Sequence, residues 1–341
     1  IYLLLVVSYD KLILYALLML TVQVFVRFLY TVYCKRHFEE CNSGRTYDKA
    51  VTKDILSFAG WSFLGNFGIT CRDQVTNILF NVFFQTPVVN AARGIATQVS
   101  GIISTFATNI TMAINPQITK NYSSGNINES VSLVYMGCRA SFYMLTLIVV
   151  PFVVNVDYVL ELWLERVPEN TSLFLYFILG VALIYSLSQP VTVAIQATGD
   201  IKAFQIWIFS LMVLEVCLTY LVLWITGSLV YALVPSVVVN FISTAVRMAL
   251  VKKKVGAYSF RQYAFDVVFR CVMVLLISCV VAIYIHYMIG YESFVAFLGE
   301  CVVLALSTIV IILLFGLKRD ERLQLVSKLT MSVKRLNGRR V

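Results

Sequence analysis

Nine predominantly apolar stretches, each longer than the roughly 20 residues that a helix needs to cross a bilayer, leave this chain little choice of fold. They run Lys11–Tyr33, Asp54–Gln85, Val88–Asn115, Val131–Val154, Leu173–Ala197, Ile201–Thr226, Leu229–Val251, Val267–Ile289 and Phe294–Leu317. A backbone in hydrocarbon must satisfy its own hydrogen bonds, and runs of this length do so as α-helices, whereas barrel strands would alternate over about ten residues. The expected fold is an all-α integral membrane protein of nine full transmembrane helices. Composition agrees: 60% of the 341 residues are hydrophobic and 13% charged, which leaves little soluble mass. The short run Ile1–Val7, broken by Ser8, Tyr9 and Asp10, reads as part of a tenth helix in an N-terminally truncated fragment.

The net charge of +9 would suggest nucleic acid only if it lay on a soluble face. It lies between the spans instead, so no nucleic-acid partner is expected. Of the 27 basic residues, nineteen fall in loops on one side or in the tail, two (Lys11 and Arg166) on the other, and six within spans or at their ends. By the positive-inside rule the nineteen mark the cytoplasm, which makes the basic tail 318–341 cytoplasmic. The longest outside loop, Asn155 to Ser172, is acidic. Arg27, Arg247 and Arg270 lie near enough to the cytoplasmic boundary to snorkel, and Arg139 sits about two turns in. Six of the eight cysteines lie inside spans and read as small hydrophobes, while Cys34, His37 and Cys41 are too few for a four-ligand zinc site. No cofactor or metal is expected.

The second and third spans, hinged at Thr86 and Pro87, carry the functional signal. Asn90, Arg93, Thr97, Ser100, Ser104, Thr108, Thr111 and Asn115 follow steps of three and four, as do Ser62, Asn66, Thr70, Asp73, Asn77 and Asn81. Each helix therefore has a polar face, and two such faces side by side suggest a shared wet cavity. Hydroxyls alone would be explained by bonds back to their own helix and by close helix packing. Asn66, Arg72, Asp73, Asn77, Asn81 and Arg93 are not, because ionisable and amide groups at membrane depth are costly and turn toward a bundle interior or water. Glu215, near the centre of its span among Leu211, Leu214 and Leu218, either is protonated or faces that cavity. Pro116 is expected to stop its helix after Asn115, and Pro190 to kink its own.

The run Asn90-Ala-Ala-Arg-Gly-Ile-Ala-Thr-Gln-Val99, with Asn115-Pro-Gln-Ile-Thr-Lys120 and Tyr122-Ser-Ser-Gly125, resembles the polysaccharide repeat-unit flippases of the multidrug/oligosaccharidyl-lipid/polysaccharide (MOP) exporter superfamily. Asp10-Lys-Leu-Ile-Leu-Tyr15, Cys34-Lys-Arg-His-Phe38, Leu56-Ser-Phe-Ala-Gly-Trp61 and Gln196-Ala-Thr-Gly199 are similar to the same family. The resemblance implies a MOP/MATE-like transporter of two six-helix bundles. On that pattern residues 1–53 form the end of the first bundle and an inter-bundle loop, 54–251 the complete second bundle, and 252–317 a C-terminal helix pair. At the point where many relatives carry an Asn-Pro pair, this chain has Glu215 and Val216.

The function implied is lipid-linked oligosaccharide flipping for O-antigen or lipopolysaccharide biosynthesis. A polyprenyl-diphosphate-linked repeat unit would cross the bacterial inner membrane by alternating access, coupled to a proton or cation. Polar stripes would pass the sugar; Arg93 and Arg72, spaced as a ladder along the hairpin, would hold the diphosphate by charge-assisted bonds. Asp73, about 100° round the helix from Arg72, would instead pair with an arginine of another helix. Asn66, Asn77, Asn90, Thr97 and Glu215 complete the substrate-binding candidates. The alternatives are a multidrug/cation antiporter of the same superfamily, which favours an acidic cavity, and a membrane-embedded polysaccharide polymerase or ligase. The last needs acid, base or metal groups, and the only histidines are His37 and His286. The charge sorting makes a topological prediction: in intact cells a membrane-permeant maleimide labels Cys34 and Cys41 and an impermeant one does not, while Ser228→Cys reacts with the impermeant reagent. Outside labelling of Cys34 would invert the topology.

Overall fold

The computed structural model describes residues 11–41, 48–289, 294–318 and 321–322. The expected partial span before Lys11 and all of the basic tail but Lys318, Glu321 and Arg322 lie outside the described residues. Helices account for every regular element among them: α1 (Lys11–His37), α2 (Lys49–Phe84), α3 (Pro87–Ser123), α4 (Ile127–Val154), the short α5 (Val156–Trp163), α6 (Thr171–Ala197), α7 (Lys202–Thr226), α8 (Leu229–Val255), α9 (Arg270–Ile289) and α10 (Phe294–Ile311). A one-turn helix (Phe260–Tyr263) and a π-helical segment (Ala264–Phe269) lead into α9, and a second π-helical segment (Ile312–Gly316) follows α10. The chain divides into two compact units, Ile1–Leu56 and Ser57–Val341. In the first, α1 is exposed along most of its length, including Phe25, Phe28 and Tyr30.

Seven helices are long and apolar enough to cross a membrane, which makes this a multi-helix membrane protein. The nine spans expected from the sequence are corrected to seven by that measure. The two that fall short are α2 and α3, whose polar stripes lower their hydropathy although each is long enough to span.

In the larger unit α6 is the hub, packed along α3, α4 and α8, while α7 lies against α8, and α9 and α10 pack on each other and on α4. The sequence of α6 explains its place: it is predominantly apolar, and Phe174, Leu175, Val191 and Ile195 are fully buried. The face that α3 buries is made of small residues, Ala92, Ala96, Ser100, Ala107 and Thr111, with Val89, Ile103 and Ile118 among them, and small side chains let helix backbones approach closely. Gly137 does the same between α4 and α6, since a Cβ there would lie 3.2 Å from Pro190 Cγ. Pro190 sits inside α6. Pro116 does not stop α3, which continues to Ser123. One missing donor is tolerated inside a long helix whose other bonds persist.

At the end of the molecule where α4 begins, a cluster of charges ties the chain following α10 to its neighbours. Arg139, 3% exposed, pairs with Glu321 and donates to the Asp266 carbonyl at 3.3 Å. Lys318 Nζ reaches Asp266 Oδ2 at 2.6 Å, and the Tyr143 hydroxyl donates to the Gly316 carbonyl at 2.9 Å. At the turn between α6 and α7, Asp200 faces Lys254 Nζ at 2.7 Å, and that ammonium holds its carboxyl below the usual range.

α2 meets α7 at Gly65 and Gly68. A Cβ at Gly65 would run into the Gln205 carboxamide, and one at Gly68 would lie 2.8 Å from the Phe209 ring. Gly68→Ala should therefore lower the melting temperature through an overpacking cost of about 1–3 kcal/mol. Gly60→Ala, where a Cβ meets nothing within 4 Å, should leave the melting temperature unchanged or raise it. Equal effects of the two would show that the α2–α7 approach does not matter to stability.

Candidate functional site

The hairpin hinge is built as its sequence suggests. Thr86 caps α3, its hydroxyl accepting from the Val88 amide at 3.1 Å, with Pro87 in the first turn. Gln85 takes φ of 50° to turn the chain. The turn brings α3 back alongside α2, and Asn90 Nδ2 donates to the Asn77 carbonyl at 3.1 Å.

One turn further along α3, Arg93 reaches across to α2. Its Nη1 donates to the Asp73 carbonyl at 3.2 Å and to Asn77 Oδ1, and its Nη2 lies 3.6 Å from Asp73 Oδ1. The guanidinium also stands 5.9 Å from the ring centre of Phe80, a fully buried side chain whose π face favours a cation. The same Oδ1 of Asp73 accepts from Arg72 through Nε at 3.2 Å and Nη2 at 3.0 Å. Arg72 Nη1 then lies 3.6 Å from Glu215 Oε2 on α7. Three helices thus share one network of two guanidiniums and two carboxylates, whose formal charges cancel.

Exposure grades across the network: the side chains of Glu215, Arg93, Arg72 and Asp73 are 10%, 17%, 24% and 44% exposed. Asp73 is the member that water or a ligand meets first. Beside Arg72 an apolar cleft of about 170 Å³ opens between α2 and α7, lined by Phe67, Val75, Phe209 and Met212 among others.

Six of the eight candidates are brought together: Arg72, Asp73, Asn77, Asn90, Arg93 and Glu215. Asn66 is exposed and contributes its carbonyl to Thr70. Thr97, also exposed, returns its hydroxyl to the Arg93 carbonyl at 2.8 Å. Thr108 likewise bonds the Ser104 carbonyl and Thr111 the Ala107 carbonyl, while the Thr111 hydroxyl also meets Ser141 Oγ of α4 at 3.1 Å, so return bonds and helix packing account for these threonines. Two expectations need correction. The arginines do not form a two-rung ladder, because both converge on one carboxylate. Asp73 does pair with its sequence neighbour as well as with Arg93, because the arginine side chain is long enough to fold back over the 100° between them. Phe80, Gly65 and Gly68 belong to the site and were not singled out. Gly65 and Gly68, neighbours on one face of α2, receive the Gln205 and Phe209 side chains of α7; the role of Phe80 depends on the hairpin and has no local signature.

Comparison with protein-family models, with curated proteins and with solved structures finds no match to this chain.

The network sets a stability pattern. Arg72→Met leaves Glu215 without its cation and should cost about 3 kcal/mol, while Arg72→Met with Glu215→Met should recover most of that loss. Asp73→Asn takes from Arg93 the one carboxylate within 4 Å of it among the described residues and should cost about 2 kcal/mol, less than Arg72→Met because Asp73 itself is half-exposed. A double-mutant cycle on melting temperature or denaturant midpoint checks this; additive losses at 72 and 215 would mean that the two do not interact.

Proposed function

We propose that the protein carries an amphiphile with a doubly anionic head from one leaflet to the other, the substrate being a polyprenyl-diphosphate-linked oligosaccharide of bacterial surface-polysaccharide synthesis. The observation that carries this reading is the convergence of Arg72 and Arg93 on Asp73. Two guanidiniums held by one half-exposed carboxylate are poised for exchange: a diphosphate supplies two charges and more acceptor oxygens than Asp73, and can take its place. Glu215 holds Arg72 from the α7 side meanwhile. The resemblance of Asn90–Gly125 to polysaccharide repeat-unit flippases supports the same substrate class, and a cytoplasmic C-terminus in the bacterial inner membrane belongs to this proposal. The protein acts here as a transporter, not an enzyme, and moves its substrate by alternating access.

A second reading, multidrug or cation antiport, is favoured by the presence of two carboxylates balancing the two arginines. The readings separate by mutation in the protein expressed in a strain whose own flippase is deleted. Arg72→Lys with Arg93→Ala, folded as judged by melting temperature, should abolish surface polysaccharide and accumulate lipid-linked repeat units on the cytoplasmic side. Asp73→Asn should preserve transport. Normal polysaccharide in the arginine variant would remove the flippase reading; drug resistance conferred by wild type and lost in Asp73→Asn, with polysaccharide not restored by wild type, would establish antiport.

A further inference from the structure

Arg247 is expected from sequence to snorkel to the boundary, and the structure places it elsewhere. It is 6% exposed, turned inward from α8 against α6. Nη1 donates to Ser188 Oγ at 2.6 Å, and the guanidinium carbon lies 5.0 Å from the Tyr185 ring centre. Its Nε is buried and donates to nothing.

The contrast with the other inward arginines is the informative point. Arg72, Arg93 and Arg139 each have a carboxylate within 4 Å. Among the described residues Arg247 has none. Its surroundings are neutral: Ser188, which donates its own proton to the Tyr185 carbonyl; Thr244, within 3.4 Å of Ser188 Oγ; and Tyr263, whose hydroxyl is engaged by the Leu187 carbonyl at 2.8 Å. An unneutralised cation in such a place is strongly unfavourable and calls for an anion.

We propose that Arg247, with the hydroxyl of Thr244, is a binding site for a phosphate group, entered by displacement of the Tyr185 ring. The free Nε edge of the guanidinium suits a tetrahedral oxyanion, which it can grip through two bonds. Thr244 Oγ1, resting on the Asn240 carbonyl at 3.0 Å, is free to swing toward it as a further donor. Tyr185 is 42% exposed, so the guanidinium lies one side chain below the surface. Lys252, Lys253 and Lys254 close the same helix, about 8 to 10 Å further along. That is the basic boundary where phosphates gather, whether as lipid headgroups or as free phosphate. The site is separate from the Arg72–Arg93 network and needs none of the transport reading.

The test uses the full chain, delipidated in detergent at constant ionic strength. Its melting temperature is followed against inorganic phosphate, against phosphatidylglycerol in mixed micelles, and against oleate, an anionic lipid without phosphate. Wild type should be stabilised by at least one phosphate source and not by oleate. Stabilisation by inorganic phosphate alone assigns a soluble ligand, and by phosphatidylglycerol alone a lipid headgroup. Arg247→Met should lose about tenfold or more in apparent affinity. It strands no carboxylate, and Arg247→Lys, which keeps the charge without the fork, gives an intermediate loss if the methionine variant does not fold. No response of wild type to either phosphate source, a response to oleate equal to that to phosphatidylglycerol, or an unchanged response in the Arg247 variants would overturn the proposal.

Discussion

A cation at membrane depth must be answered by something, and the larger unit of this protein is arranged around those answers. Removing a guanidinium from water costs several kcal/mol, which only a close and well-bonded partner offsets. Arg93 ties α3 to α2 through Asp73 and Asn77. Arg72 ties α2 to α7 through Glu215, and Arg139 ties α4 to the segment after α10 through Glu321. The first pair fixes the hairpin and the other two join elements distant in sequence, so each favours one assembly of the helices over alternatives that would strand a charge.

Packing makes these pairs reachable. Between α2 and α7 the ion pair of Arg72 and Glu215 at 3.6 Å is flanked by Gly65 and Gly68, which leave room for the Gln205 and Phe209 side chains of α7. The same logic applies along α3, where Ala92, Ala96 and Ala107 are buried against neighbours. Lipid offers apolar side chains no less than a helix does, so close contact between backbones supplies the attraction that hydrophobicity cannot.

The helical class and most of the helices were legible because hydrocarbon permits so few backbone solutions. The polar periodicity of α2 and α3 was legible too, and it located the charged network on the correct hairpin. What it could not convey was the conformation of long side chains. Arg72 folds back to Asp73, and Arg247 turns inward where the boundary is equally within reach; both outcomes follow from which neighbours are presented by α6 and α7, and no local pattern encodes that. The threonines of the stripes look like cavity lining in a period count and prove to be bonded to their own backbone. A proline in the sequence does not show whether its helix ends there, and Pro116 removes one bond from a helix that keeps the rest.

The two π-helical segments, Ala264–Phe269 leading into α9 and Ile312–Gly316 following α10, carry the anchor points of the cluster around Arg139. Asp266 lies in the first, and Gly316, which accepts from Tyr143, closes the second. A π turn holds one residue more than an α turn, and each residue of an α-helix corresponds to about 100° of rotation. Relaxing either segment to ordinary α-helix would swing its anchor about a quarter-turn away from α4 without breaking the helix. These inserts therefore fix the rotational phase of the last two helices against α4, and the number of residues in them matters as much as their identity.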